Sequence, residues 1–154
     1  MAVRVFNELG RKLVIIGSGP ERGHLKKIAG PSIEFLDWQS DESVRDYYRR
    51  AKALIFPGEE DFGIVPLEMQ ACGGFVIALG KGGALETIKS GETGLFFNEP
   101  LEEGLKKAVA QFDLTKMSPV NARTHALRFS RERYKNEMRA RTAQLLTERG
   151  MVLA

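Results

Sequence analysis

Short apolar runs alternate along the chain with stretches whose apolar residues fall at helical spacing, the pattern of an α/β domain with a parallel sheet. Lys12–Ile16 reads as a buried strand, closed by Gly17-Ser18-Gly19-Pro20. A helix over about Glu21–Ala29 follows, with Leu25, Ile28 and Ala29 inward and Gly30-Pro31 as its stop. Ile33–Leu36 is the second strand. Ser40 with Asp41 and Glu42 caps a helix to about Ala51, with Val44, Tyr47 and Tyr48 toward the sheet. Ala53–Phe56 is the third strand, ended by Pro57-Gly58, and Phe75–Ala78 the fourth. Gly80-Lys81-Gly82-Gly83 leads into a short helix over about Ala84–Lys89, and Gly91–Gly94 turns into a strand at Leu95–Phe97. The remainder reads as helices over about Leu101–Phe112, Pro119–Arg128 and Ser130–Leu146. In the last of these Tyr134, Met138 and Leu145 mark one apolar side, read as core packing.

One stretch does not fit a purely structural reading. Glu60-Asp61-Phe62-Gly63-Ile64-Val65-Pro66-Leu67-Glu68 carries two carboxylates across a glycine turn into a helix start. Pro66 suits the first helical position, because its missing N–H is not needed there. That places Glu68 in the first turn and Glu60 in the loop ahead of it. Between them, Phe62, Gly63, Ile64 and Val65 offer backbone N–H groups at the positive end of a helix, a seat for phosphate. Carboxylates accept from hydroxyls and free amides donate to phosphate oxygens, so the pair of features points to a nucleotide sugar. The glycine loops also follow strands, at the carboxyl edge where open α/β sheets bind ligands.

Composition narrows the class. The 154 residues suffice for one domain, and 28% charged with 43% hydrophobic residues is ordinary for a soluble globular protein. The single Cys72 excludes an internal disulfide and points to a reducing cytosol. No apolar run reaches membrane-spanning length, and no signal-peptide pattern opens the chain. Net charge is +3, yet residues 123–149 hold eight basic against three acidic side chains. A solvated face with intrahelical ion pairs is the favoured account of that run, over contact with anionic lipid or an acidic partner. No nucleic-acid motif accompanies it. His24 and His125 stand alone, as surface or structural residues, and no cluster has metal-ligand spacing.

The ordered set Gly-Ser-Gly-Pro-Glu (17–21), Phe-Leu-Asp (35–37), Ala-Lys-Ala-Leu-Ile-Phe-Pro (51–57), Glu60-x7-Glu68 and Gly-Gly-Ala-Leu-Glu (82–86) resembles family 4 glycosyltransferases. These are retaining enzymes of the GT-B architecture, two Rossmann-like domains facing across a cleft. The resemblance runs from about Lys12 to Arg133. It implies that the whole chain, 1–154, is a single C-terminal donor-binding domain: a three-layer α/β/α Rossmann-like half of a GT-B fold. It implies hexosyl or mannosyl transfer from a nucleoside diphosphate sugar (GDP-mannose or UDP-hexose type), with no cofactor and no metal. By position, Glu68 would take the ribose hydroxyls and Glu60 those of the donor sugar, helped by amides at Phe62, Gly63 and Ile64. Amides at Ile64 and Val65 would meet the distal phosphate. Asp37 and Trp38 would lie beside the base, Gly17, Ser18 and Gly19 on the cleft floor, and Gly82 and Gly83 near the sugar and phosphates, with Glu86 supporting that loop.

Two absences set the sequence apart from that pattern, beside a smaller departure at Phe75, where the family usually has proline. The family's acceptor-binding N-terminal domain, through which an acceptor glycan or lipid would be held, is absent. So is the upstream Arg and Lys pair that neutralises the diphosphate; Arg4, Arg11 and Lys12 sit in no version of that motif, and Lys81 is a candidate source of charge. The expectation is a fragment, inactive alone, of a cytosolic enzyme with peripheral contact at the inner membrane face. Two other readings stay open. One is a non-catalytic nucleotide-sugar module, or a nucleotide-sugar epimerase of the same architecture. The other is a nicotinamide dinucleotide domain, from Gly17-x-Gly19-x3-Gly23 with Asp37 as the ribose acid.

Overall fold

The computed structural model describes residues 1–149. The described residues form eight helices and five strands, alternating as far as α6 and helical thereafter: α1 (Ala2–Leu9), β1 (Leu13–Ile16), α2 (Arg22–Ile28), β2 (Ile33–Leu36), α3 (Asp41–Arg50), β3 (Leu54–Phe56), α4 (Ile64–Ala71), β4 (Val76–Leu79), α5 (Ala84–Thr87), β5 (Gly94–Phe97), α6 (Glu102–Leu114), α7 (Pro119–Leu127) and α8 (Arg131–Glu148). All strand pairs are parallel, in two ladders, β1-β2 and β3-β4-β5. The expected single sheet is thus divided, although its strands fall within a residue or so of their predicted places. β1, expected to be buried, is only half-buried at all four positions, because it has a neighbour on one edge alone.

Period-two alternation in the strands sorts the core into two faces. Ile77 and Leu79 of β4 join Val5 and Phe6 of α1, Phe97 of β5 and Leu105, Ala108 and Val109 of α6. Val76 and Ala78 of the same strand join Phe56, Met69 of α4, and Ala84 and Ile88 around α5. α1, which the strand-led sequence reading passed over, is held on α6 by its buried Val5 and Phe6. Ion pairs add orientation at their rims: Arg4 with Glu102 (3.2 Å) and Arg11 with Asp113 (2.5 Å). Exposed pairs of this kind contribute little each. α4, α3, α5 and α7 pack on the other face.

α8 contradicts its expected role in the core. Tyr134, Met138 and Leu145 are 62%, 48% and 40% exposed, and no residue of the helix is buried. The helix stands on local interactions: a Ser130 cap on the Arg133 N–H (3.3 Å) and ion pairs Arg133–Glu137 (2.6 Å) and Lys135–Glu132 (3.6 Å). The solvated, ion-paired face is what forms.

A buried polar relay crosses the α4 face toward the strand ends. Gln70 and Thr87 are both fully buried; the Gln70 amide donates to the Thr87 carbonyl (2.8 Å), and the Thr87 hydroxyl donates to the Gly83 carbonyl (3.0 Å). The Gly83 N–H donates in turn to the Glu60 carbonyl (2.7 Å). α4, α5 and the loop after β3 are thereby fixed to one another.

Two expected outcomes follow from this packing. A methyl at Gly83 would overlap the Phe62 Cα and lie 2.5 Å from the Asp61 carbonyl oxygen, and backbone on both sides cannot yield. Gly83→Ala should therefore cost about 3 kcal/mol, at the upper end of overpacking effects, in urea unfolding; wild-type stability would contradict the close packing. His125 of α7 is buried, and burial, then the charges of Lys89 and Arg128, hold its imidazole below the ordinary value of 6.5. The unfolded chain then takes up the proton first, so the contribution is complete above 6.5 and declines as pH falls below it. The urea midpoint should drop from pH 7.5 to 5.5, and His125→Met should reduce that drop; an equal drop in both proteins would contradict the assignment.

Candidate functional site

The loop after β3 turns into α4 at Gly63, whose φ of 81° lies in the left-handed region that glycine occupies without penalty. The helix begins at Ile64, two residues before the expected start. Pro66 is its third residue, where an N–H would still lack an intrahelical acceptor. Glu68 consequently sits in the second turn, not the first. No side chain caps the helix, which leaves the Ile64 and Val65 N–H groups free at its positive end. Both residues are exposed.

Glu59, Glu60, Asp61, Phe62, Gly63, Ile64 and Val65 line an open concavity of about 520 Å³. Glu68 lies in an adjoining one, bounded by α4, α7 and α8 and sharing Phe62 and Ile64 with the first. The two carboxylates therefore flank the α4 N-terminus from neighbouring hollows. The Tyr48 hydroxyl of α3 donates to Glu68 Oε2 (3.2 Å) and leaves Oε1 available. Burial, then the Glu68 charge, raises the Tyr48 phenol above its ordinary value, so it remains a donor at neutral pH. Sequence reasoning placed Tyr48 on the sheet-facing side, which is correct, but helical spacing gives no sign of what its hydroxyl reaches.

Among the described residues no cation forms an ion pair with Glu59, Glu60, Asp61 or Glu68. The basic residues near the start are engaged elsewhere: Arg4 with Glu102, Arg11 with Asp113, Lys12 with Glu34 (3.3 Å). Lys81 is exposed and unpaired, on the loop beneath Glu60. No group of three His, Cys, Asp or Glu side chains among the described residues could hold a metal ion, and no described helix is long and apolar enough to cross a membrane.

The remaining sequence-predicted residues follow the carboxyl ends of strands in both ladders, β1 and β2 in one and β4 in the other, and line neither hollow. Gly82 and Gly83 are packed against the carboxylate loop itself; a methyl on Gly82 would lie 2.5 Å from the Glu60 carbonyl oxygen. The side chain that supports this loop is Thr87, whereas the exposed Glu86 side chain makes no hydrogen bond among the described residues. Gly17, with φ 115°, ends β1 and donates its N–H to the Leu36 carbonyl (3.1 Å), followed by exposed Ser18 and Gly19. Asp37, at the end of β2, is ion-paired with Arg22 (2.6 Å), and the neighbouring Trp38 ring is 81% exposed.

Relatives share this arrangement of sequence and fold. A D-inositol 3-phosphate glycosyltransferase of Gordonia bronchialis is 35% identical over 104 residues, covering 64% of this chain and 23% of its own. The same enzyme from Salinispora arenicola is 32% identical over 133 residues, covering 76% and 29%. The chain thus spans about a quarter of the length of these curated relatives. Among solved structures, sucrose-phosphate synthase of Thermosynechococcus elongatus superposes with a TM-score of 0.68 at 26% identity, over 96% of this chain and 41% of that one. HepE of Anabaena, crystallised in complex with UDP, gives 0.71 at 19% identity over 94% and 44%, which shows the fold alone. The α/β fold with parallel strands is that of GT-B glycosyltransferase structures. Residues 3–126 match the family described as Glycosyl transferases group 1, and the chain belongs to that family.

Proposed function

We propose that this chain is the C-terminal, donor-binding half of a family 4 retaining glycosyltransferase, and that its ligand is a nucleoside diphosphate sugar. The observation that carries the reading is the α4 N-terminus: two free amides, Ile64 and Val65, set between Glu60 and Glu68. The distal phosphate accepts from these amides, where the helix dipole, equivalent to about half a positive charge, stabilises it. Glu68, aimed by Tyr48, accepts from the ribose hydroxyls. Glu60 holds donor-sugar hydroxyls, its backbone pinned by Gly83. Exposed Trp38 is free to border the base, with Asp37 beside it and Gly17, Ser18 and Gly19 along the cleft floor.

Transfer with retention would proceed on one face of the sugar. The glycosidic bond to the diphosphate breaks as the acceptor hydroxyl attacks from the same side, and the departing phosphate oxygen takes the acceptor proton. Negative charge then grows on the phosphate that the Ile64 and Val65 amides hold, so those donors bind the transition state more strongly than the ground state. No cofactor or metal enters this scheme. GDP-mannose and UDP-hexose donors fit equally; the UDP bound to HepE belongs to that protein. The acceptor, a glycan or lipid, would be held by a separate N-terminal domain of a cytosolic enzyme with peripheral membrane contact. The Arg22–Asp37 ion pair favours this reading over a dinucleotide one, because it occupies the acid that an adenosine ribose would require.

The test is calorimetric titration with UDP, GDP and ADP, their sugar conjugates, and NAD. One diphosphate and its conjugate should bind selectively, and binding of NAD alone would contradict the proposal. Glu68→Ala should weaken the bare diphosphate by about 1–3 kcal/mol, through loss of charge-assisted hydrogen bonds. Tyr48→Phe should weaken it by about 0.5–1.5 kcal/mol, since it loosens Glu68 without removing it. Glu60→Ala should reduce affinity for the sugar conjugate more than for the bare diphosphate; equal losses would rule out the division of roles.

A further inference from the structure

α7 lies along α4 in the reverse direction. A methyl on Gly73, just past the end of α4, would touch the Pro119 side chain at 3.4 Å, so the start of α7 meets the end of α4. At the other end the Phe129 ring meets Phe62, just ahead of Gly63 and the first residue of α4. The ring centroids are 6.1 Å apart and the planes stand at 64°. Between these two contacts Ala122, His125 and Ala126 of α7 are buried.

Phe129 is itself held. It occupies the turn from α7 to α8, where the N–H groups of Arg128, Phe129 and Ser130 donate to the His125, Ala126 and Leu127 carbonyls (3.1, 3.0 and 3.2 Å). Ser130 then caps α8 through the Arg133 N–H (3.3 Å), so the backbone carrying Phe129 is fixed by a helix end on each side. The same ring meets the buried His125 imidazole edge to face, with centroids 5.4 Å apart and planes at 69°. Edge-to-face geometry of this kind is attractive between aromatic rings.

Phe62 has the opposite character. Its ring is exposed on a loop that carries three carboxylates, and its Cα rests against Gly83. One backbone contact holds a position, and a second contact is needed to fix a direction. Phe62 precedes Gly63, from which the chain enters α4 with φ 81°, and the peptide planes bearing the Ile64 and Val65 N–H groups follow directly. Glycine supplies no steric restriction of its own there, so what holds Phe62 sets how those amides point.

We infer that Phe129 is a positioning residue for the phosphate seat: through the Phe62 ring it holds the Gly63 turn so that the Ile64 and Val65 N–H groups converge on one anion. The inference rests on the donor-binding reading of the α4 N-terminus. Its rival is direct contact between Phe129 and the ligand, since Phe129 also borders the hollow of Glu68.

The test compares Phe129→Leu and Phe129→Tyr with a control, Phe112→Leu. Phe112 makes a tilted pair with Phe75 (6.2 Å) and packs on the cluster of α1 and α6. In the ligand-free protein, backbone amide relaxation should give Gly63 and Ile64 the rigid order parameter of about 0.85, falling below about 0.6 in Phe129→Leu and unchanged in the other two. In calorimetry with whichever of UDP, GDP and ADP binds, Phe129→Leu should weaken the bare diphosphate and its sugar conjugate alike, by about three- to tenfold, the contribution of one edge-to-face pair. Phe129→Tyr should keep wild-type affinity, and Phe112→Leu should lower the melting temperature without changing either affinity. Phe62→Leu, a change to an exposed ring, carries the same expectation as Phe129→Leu for both readouts, also where Phe129→Leu does not fold. The double variant should bind no more weakly than either single one. Additive losses would mean that Phe129 touches the ligand itself and would overturn the inference. Unchanged order at Gly63 and Ile64 would overturn it too, with the donor reading left standing if the diphosphate still binds. Loss of order there, in a protein whose wild type binds no diphosphate, would support the hold of Phe129 on the turn and contradict the donor reading alone.

Discussion

The contact on which the candidate site depends is backbone against backbone: the loop Glu60–Phe62 lying on Gly82-Gly83, closed by the Gly83 N–H on the Glu60 carbonyl at 2.7 Å. Glu59, Glu60 and Asp61 stand together on that loop with no ion-pair partner among the described residues, so their mutual repulsion favours a more open chain. Two features oppose it. The glycines let the loop seat without a Cβ in the way, and the relay through Thr87 and Gln70 ties the seat to α4, the helix whose N-terminus completes the site. A hydrogen bond in this buried setting stabilises its neighbours in the same network, which is how one main-chain contact comes to set the relation between Glu60, the free amides and Glu68.

The site also carries an electrostatic imbalance that bears on its chemistry. A diphosphate would approach four nearby carboxylates with only the partial charge of one helix end in its favour. The early basic residues are paired at the α1–α6 rim and along β2, leaving Lys81 as the exposed cation on the adjoining loop.

Much of this was legible in the sequence. The five strands announced themselves as short aliphatic and aromatic runs, with Gly17, Pro57 and Gly80 closing β1, β3 and β4, and Ser40 marked the start of α3 through its cap on the Ser43 N–H. Other features were not legible, for physical reasons. Periodicity shows which residues share a helix face but not whether anything covers that face; Tyr134 and Met138 are spaced for a core that does not reach them. Proline fits any of the first helical positions, so Pro66 signalled a helix start without giving its register, and Glu68 moved to the second turn. α1 is short and has no side-chain cap, and its buried Val5 and Phe6 acquire meaning only once α6 and β4 lie against them. Roles that depend on a partner far along the chain, such as Tyr48 on Glu68 or Gln70 on the Thr87 carbonyl, leave no local trace in the sequence.

The central claim is that the α4 N-terminus is the phosphate seat of a nucleotide-sugar site, and amide chemical-shift mapping addresses it residue by residue. On titration with UDP-glucose and with GDP-mannose, the account predicts that the productive donor moves the Ile64 and Val65 resonances most, with Gly63 and Gly83 following and the α1 amides, on the opposite face of the sheet, unchanged. Binding that shifts α8 or the Gly17–Gly19 loop while Ile64 and Val65 stay in place would contradict it.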